Sequence, residues 1–229
     1  MTPVNHHPVD HKALFTLILS ALLLQLIGHY FAGKYLVIGS FYTLWPILRV
    51  VIPIIILMLL AIPLRTLSFQ LPRFDKHSLM VIIIAVFGLC FMAFYLANFA
   101  DAYLSYYRKG ATLEYLHLTQ RFERFMVFTV STVIAWEIFH RGFLLGSLRF
   151  VLAQKMAIEQ RSADVIAMLF LAVFEALFHI KKPMVESIPL MFASLILSWL
   201  TIRTGSLWPA LIIHFMIEVI FGYSAYIGW

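Results

Sequence analysis

The sequence predicts an all-α fold, a polytopic transmembrane helix bundle of about seven to eight helices. Hydrophobic residues make up 62% of the chain and charged residues only 12%, and the mean hydropathy is +0.92. A soluble fold of 229 residues could not cover itself with so little polar surface, whereas lipid requires no such cover. We therefore expect an integral multi-pass membrane protein, located in the inner membrane of the cell.

Seven apolar stretches approach the length of about 20 residues that a helix needs to cross the hydrocarbon layer. They cover residues 13–32, 41–64, 78–99, 125–146, 164–180, 187–203 and 207–227. The second contains Pro46, Pro53 and Pro63, which predicts a kinked helix or one shorter than the stretch. Arg49 in the same stretch is expected to snorkel to the membrane rim. Cys90, which has no second cysteine to pair with, is expected to be a small core side chain.

Residues 101–124 interrupt the apolar pattern with closely mixed aromatic and basic side chains. This mixture favours an interfacial helix that lies on the membrane, with an ordinary polar loop as the alternative. The net charge of +6 could indicate nucleic acid in a soluble protein, but here the basic residues mostly flank apolar stretches. We expect membrane lipid as a partner and no nucleic acid. Without a long linker the chain is a single membrane domain, 1–229, and loop charges lean weakly towards a cytoplasmic N-terminus.

Three of the apolar stretches carry a glutamate and a histidine about one helical turn apart. These pairs are Glu137 with His140, Glu175 with His179, and His214 with Glu218. Residues three or four apart share a helix face, so each stretch can direct its pair towards a common interior. Ionisable groups at such depth are costly and indicate a functional site. We expect the fourth, fifth and seventh stretches to line a polar chamber there, with a helix–helix hydrogen bond as the role of His140.

The same stretches resemble the CPBP (CAAX protease and bacteriocin-processing) intramembrane proteases. Trp136-Glu137-Ile138-Phe139-His140-Arg141 is similar to their first motif, in which two adjacent glutamates are followed four residues later by arginine. His179 matches the histidine of their second motif, and the run from Arg203 to His214 is similar to the approach to their last motif. The resemblance covers residues 125–222 and implies a protease core.

Three positions depart from that pattern. Trp136 stands where the first glutamate is usual, Glu175 stands where a phenylalanine commonly precedes the second-motif histidine, and Glu218 stands where asparagine is usual. The first glutamate of the family acts with the second-motif histidine on a water, so another carboxylate must take that role here. We rank Glu137 first, Glu186 second and Glu175 third.

The resemblance implies an endopeptidase that hydrolyses a peptide bond in a membrane-associated protein or peptide through an activated water. The catalytic set is Glu137, Arg141, His179, Glu186, His214 and Glu218. A glutamate would take a proton from water with His179 orienting that water, and Arg141 would hold Glu137. His214 would polarise the scissile carbonyl, and Glu218 would orient His214.

Three alternatives stay open. Glu137, His179 and His214 could hold a zinc ion, since catalytic zinc commonly uses three protein ligands and one open position. A protease-like scaffold that has lost turnover would explain Trp136. A proton- or metal-coupled transporter would also place acids and histidines at this depth, although such transporters often show two duplicated halves, which this sequence lacks.

Overall fold

Each of the seven apolar stretches coincides with a helix of the computed structural model, which describes residues 11–34, 41–99, 129–179 and 184–226. Within these ranges the chain is helical and contains no strand, which confirms the all-α prediction. The helices are α1 (His11–Lys34), α2 (Phe41–Leu59), α3 (Lys76–Phe99), α4 (129–155), α5 (Gln160–Phe178), α6 (Met184–Thr204) and α7 (Trp208–Tyr226). The predicted interfacial helix at 101–124 lies outside the described residues.

None of the helices in the described ranges is both long enough and apolar enough to qualify as a membrane crossing. The multi-pass arrangement therefore stays a prediction.

The end of α2 confirms that this helix is shorter than its apolar stretch. Pro46 and Pro53 lie inside the helix, which stops at Leu59. Ala61 then adopts a φ of 50°, and its N–H reaches the carbonyl of Met58 while that of Ile62 reaches Leu57. These two hydrogen bonds satisfy carbonyl groups at the end of α2 that have no partner within the helix.

The helix α4 departs from regular α geometry where it carries the first motif. Residues Ile138–Leu145 form a π-helical segment, Gly146–Phe150 return to α geometry, and Val151–Lys155 are again π-helical. All eight residues of the first π segment are buried. Because π segments are rare and concentrate at functional sites, this one marks the part of α4 that faces the interior.

Two glycines allow α4 to lie directly against the short 3₁₀ helix Leu64–Leu67. A Cβ at Gly142 would come within 3.2 Å of the carbonyl oxygen of Leu67, and one at Gly146 would overlap with the carbonyl oxygen of Thr66. Only glycine permits a backbone to approach this closely. The contact fixes the depth of the π segment relative to the connection between α2 and α3.

The same connection also holds the turn between α6 and α7. The N–H of Leu207 donates to the carbonyl of Ser68 over 2.7 Å, and the Ser206 hydroxyl donates to the carbonyl of Gln70 over 2.6 Å. Gly205, with a φ of 65°, ends α6 in the left-handed conformation that glycine tolerates. These bonds fix the start of α7 and thereby the position of His214 further along it.

Asp75, in the connection between α2 and α3, binds α6 through an ion pair with Arg203. Its carboxylate accepts hydrogen bonds from the backbone N–H and the hydroxyl of Ser78, over 2.8 and 2.7 Å, and from Nε of Arg203 over 2.7 Å. The Ser78 hydrogen bonds, more than the Arg203 cation, hold the pKa of this carboxyl well below its usual range. Asp75 thus caps α3 and ties it to the end of α6.

Two apolar clusters pack the described helices together. The larger joins α1, α2, α4 and α5 and includes Leu17, Leu57, Phe143 and Leu171. The smaller lies between α6 and α7, with side chains of α3 packed against it. Two sequence predictions are wrong here. Cys90 is exposed on α3, and Arg49 is only 7% exposed, because α2 directs it inward against α1 and α4 instead of towards a rim.

Candidate active site

Glu137 and Arg141 form an ion pair on adjacent turns of α4. The carboxylate Oε1 lies 2.5 Å from Nη1 of Arg141, and the two side chains are 0% and 2% exposed. The four-residue spacing places both groups on one helix face, as the sequence predicts. Burial of two opposite charges is tolerated because each neutralises the other.

His214 reaches the same carboxylate from α7. Its Nδ1 lies 2.5 Å from Oε1 of Glu137, while its Nε2 lies 3.8 Å from Oε1 of Glu218 one turn further along α7. Each ring nitrogen of His214 therefore has a carboxylate beside it. Since the Glu218 side chain is 41% exposed, the row from Glu137 through His214 to Glu218 leads from a buried carboxylate to a partly open one.

Glu175 brings a second carboxylate from α5. Its Oε2 accepts a hydrogen bond from Nη2 of Arg141 over 3.1 Å, and its Oε1 accepts one from Nη1 over 3.3 Å. The indole Nε1–H of Trp136 donates to the same Oε1 over 2.9 Å. Arg141 is thus shared between Glu137 on its own helix and Glu175 on the neighbouring one.

Trp136 lies at the junction of several site residues. The His140 ring stacks on the indole with 4.0 Å between centroids, and the His179 ring meets it edge-on at 5.5 Å. The guanidinium carbon of Arg49 lies 4.9 Å from the indole centroid, a distance typical of a cation–π contact. Nη2 of Arg49 also donates to Oε1 of Gln25 over 2.9 Å, which connects α1 and α2 to the site.

Two histidines are held by backbone carbonyls. Nδ1 of His140 lies 2.9 Å from the carbonyl oxygen of Trp136, and Nδ1 of His179 lies 2.9 Å from that of Glu175. A carbonyl only accepts, so Nδ1 carries the proton in each ring and Nε2 is the remaining nitrogen. The expected helix–helix hydrogen bond of His140 is wrong, because its bond is made within α4 and its Nδ1 stays 3.9 Å from Glu175.

Four buried polar atoms of α4 have no hydrogen-bond partner among the described residues, and one of them, the Thr129 hydroxyl, lies two turns before the site. The other three belong to the site itself. They are Oε2 of Glu137, Nε2 of His140 and Nε of Arg141. Buried polar atoms are nearly always paired, so such a group indicates a place for water or a ligand. Two of these atoms can accept a proton, Oε2 of Glu137 and Nε2 of His140, and only the first belongs to the residue that Arg141 and His214 both contact.

The structure brings together most, but not all, of the predicted site residues. Glu137, Arg141, His214 and Glu218 form one connected group, and His179 joins it through Trp136 and the backbone of Glu175. Glu186 is on the first turn of α6, but its side chain is outside the described part of the chain. The catalytic roles themselves stay predictions.

Three site residues received less weight from the sequence than the structure gives them. From the sequence, Glu175 is the third-ranked candidate for the base, Trp136 replaces a usual glutamate, and Arg49 is expected at the membrane rim. The available signal was that Trp136 and Glu175 are both departures from the resembled motif. That Trp136 and Glu175 contact each other depends on how α4 packs against α5, and spacing along the sequence does not show this packing.

The zinc alternative concerns Glu137, His179 and His214. Among the residues that the structure describes, no group of three or more His, Cys, Asp or Glu side chains is arranged to hold a metal ion. In the structure, Nδ1 of His214 lies beside Glu137, and its Nε2 faces Glu218. Zinc binding stays an untested prediction.

Comparison with known proteins gives one family match, over the segment that carries the site. Residues 119–220 match the model of a family described as type II CAAX prenyl endopeptidase, Rce1-like. The matched segment contains the whole of α4, α5 and α6 and the site residues of α7, so the site lies in the part of the chain that is similar to this family. No curated protein and no solved structure matches the chain. The family consists of membrane proteases, which supports a protease function in general terms.

Proposed function

We propose that the chain is an intramembrane endopeptidase that hydrolyses a peptide bond in a membrane-associated protein or peptide. The observation that carries the proposal is the state of Glu137. One of its oxygens is held by Arg141 and His214, while the other is buried with no partner among the described residues. A carboxylate fixed in this way can accept a proton from a water at its second oxygen.

The reaction follows from that arrangement. A water hydrogen-bonded to Oε2 of Glu137 loses one proton to the carboxylate as its oxygen forms a bond to the scissile carbonyl carbon. The tetrahedral intermediate collapses, the C–N bond breaks, and the proton moves from Glu137 to the leaving nitrogen. The water is thereby divided between a new carboxyl group and a new amine, and Glu137 returns to its starting form.

The neighbouring residues support each stage of this reaction. Arg141 holds Glu137 in one orientation through the 2.5 Å contact. His214, oriented by Glu137 and Glu218, supplies a polar group for the carbonyl oxygen that develops charge. His179 has its Nδ1 fixed by a carbonyl, so its Nε2 is the nitrogen that would orient the water.

The surface of the described helices supports a membrane setting. Large apolar side chains are exposed along several of them, among them Phe15 at 67%, Phe87 at 72% and Phe91 at 70%. In water, contiguous exposure of this kind favours aggregation, whereas in lipid it carries no cost. A substrate that is itself held in or beside the membrane would meet these helices without leaving the lipid.

A catalytically lapsed scaffold is the second candidate, and the buried ion pairs favour it. Arg141 bridging two carboxylates is also what a purely structural network requires. A scaffold would nevertheless have no need for an unpaired carboxylate oxygen on Glu137. The two candidates therefore differ in one measurable property, which is turnover that depends on Glu137.

Turnover is tested by incubating the purified chain in lipid nanodiscs with a library of membrane-associated peptides, with and without a chelator. We expect cleavage by the wild type and by Glu159→Gln, which alters an exposed glutamate, and none by Glu137→Gln. Cleavage that persists in Glu137→Gln would overturn the assignment of the base. Absence of cleavage in the wild type would favour the scaffold, and metal analysis of the same samples would test zinc.

A further inference from the structure

We infer that Glu175 is a positioning residue of the proposed hydrolytic site, which holds Arg141 in such a way that one oxygen of Glu137 stays available to water. This inference rests on the proposed function. Glu175 touches neither the water nor the substrate in this scheme and acts through Arg141.

The hydrogen bonds divide the two carboxylates into different roles. Both oxygens of Glu175 accept hydrogen bonds, Oε1 from Trp136 and Arg141 and Oε2 from Arg141. Glu137 uses only Oε1, and its Oε2 has no partner among the residues described. Both oxygens of Glu175 are therefore held in place, whereas Oε2 of Glu137 can still accept a hydrogen bond.

The guanidinium geometry explains why the carboxylate of Glu175 matters. Nη1 of Arg141 is divided between Glu137 at 2.5 Å and Glu175 at 3.3 Å, while Nη2 is bonded to Glu175 at 3.1 Å. Arginine and a carboxylate prefer to meet through two parallel hydrogen bonds. If Glu175 did not bind Nη2, that nitrogen would be left buried and unpaired beside Glu137. The guanidinium would then turn to bind both oxygens of Glu137 and occupy Oε2.

Trp136 keeps Glu175 in place for this purpose. Its indole N–H donates to Oε1 of Glu175 over 2.9 Å, and the ring itself is held by His140 and by the cation of Arg49. Trp136 stands where the resembled motif has a carboxylate, and Glu175 stands where it has an aromatic ring. The structure brings these two departures into direct contact through the indole N–H and the carboxylate.

The test compares kcat and KM of three variants in nanodiscs, using a peptide that the wild type cleaves. Glu175→Gln offers Nη2 no carboxylate, so kcat should fall at least about tenfold with KM nearly unchanged. Glu175→Asp keeps the charge and should recover part of that loss. Trp136→Phe keeps both carboxylates and should lower kcat to an intermediate extent. Equal kcat in Glu175→Gln and the wild type would overturn the inference, as would a loss in Glu175→Asp as large as that in Glu175→Gln.

A structural readout separates failure of this inference from failure of the proposed function. Experimental structures of the wild type and of Glu175→Gln should differ in Arg141, which in the variant should bind both oxygens of Glu137. An Arg141 that keeps its position and leaves Oε2 of Glu137 unbound would overturn the positioning role, whatever the activity. Should Glu175→Gln fail to fold, the same comparison made with Trp136→Phe should show Glu175 displaced from Arg141, and an unmoved Glu175 would count against the inference. Loss of the proposed function alone would appear as a wild type that shows the expected geometry without cleavage.

Discussion

Arg141 and Glu175, 34 residues apart in the sequence, meet through two hydrogen bonds of 3.1 and 3.3 Å between α4 and α5. Glu137 connects this pair to α7, because its Oε1 lies 2.5 Å from Nη1 of Arg141 and 2.5 Å from Nδ1 of His214. Three helices of the family-matched segment are therefore joined by buried charges rather than by apolar packing alone. Loss of one charged member of this network destabilises the fold, because its partner is then a buried charge without compensation.

Glu137→Gln should abolish or strongly reduce hydrolysis while leaving the fold intact. The amide can still accept from Arg141 or His214 through its oxygen, but it cannot take a proton from water. General bases contribute about 10²- to 10⁴-fold to rate, so kcat should fall by at least about a hundredfold. The measurement is steady-state cleavage of a membrane-associated peptide by the purified variant.

Glu159→Gln serves as the matched control for this change, because Glu159 is exposed at the start of α5. It should cleave at the rate of the wild type. A Glu137→Gln enzyme with a rate close to that of this control would remove Glu137 from the mechanism.

Arg141→Met should destabilise the fold more than any change to an exposed arginine. It leaves Glu137 and Glu175 buried without their shared cation, and removal of one partner from a buried ion pair costs about 3–5 kcal/mol. Arg141→Lys should be milder, although a single ammonium cannot span both carboxylates as the guanidinium does. Unfolding in mild detergent, followed by circular dichroism, measures the difference. Arg65→Met, on the exposed side of the 3₁₀ helix, is the control, and equal stabilities for Arg141→Met and this control would contradict the prediction.

The helices and the two intrahelical pairs could be predicted from the sequence, because both depend on local spacing. Apolar stretches of sufficient length become helices, and Glu137 with Arg141, like His214 with Glu218, lies one turn apart on the same helix. What could not be predicted is the rotation of one helix against another. Because of this rotation, the side chain of Arg49 faces inward and contacts Trp136, and the side chain of Glu175 contacts Arg141.

The π segment adds a second reason. An i→i+5 pattern shifts the faces of α4 relative to the regular spacing from which His140 was expected to reach a neighbouring helix. In the structure His140 bonds within α4 and stacks on Trp136 instead. Local spacing therefore gave the members of the site, and tertiary packing determined their partners.

Asp75 predicts a dependence of stability on acid pH. Its pKa is lowered in the folded chain, mainly by hydrogen bonds from Ser78, so folding favours the carboxylate. The corresponding stability is present above the unfolded pKa of about 4 and is lost as pH falls through the lower folded value. Thermal unfolding from pH 6 downward should show this loss in the wild type and in Glu159→Gln. Asp75→Asn should have a lower Tm at neutral pH and a flatter acid dependence, and an acid limb as steep as that of the wild type would contradict this origin.

Gly146→Ala should destabilise the chain where Gly88→Ala does not. A Cβ at Gly146 would overlap with the backbone oxygen of Thr66, which cannot move aside as a flexible side chain could, and overpacking of this kind costs about 1–3 kcal/mol. Gly88 is exposed on α3 with nothing within 4 Å of the added Cβ, so its replacement should be neutral or stabilising by up to about 1 kcal/mol. Since the contact also sets the depth of the π segment, Gly146→Ala should lower kcat together with Tm. Unfolding and cleavage measured on both variants test this, and a Gly146→Ala chain as stable as Gly88→Ala would show that α4 does not rest on the 3₁₀ helix.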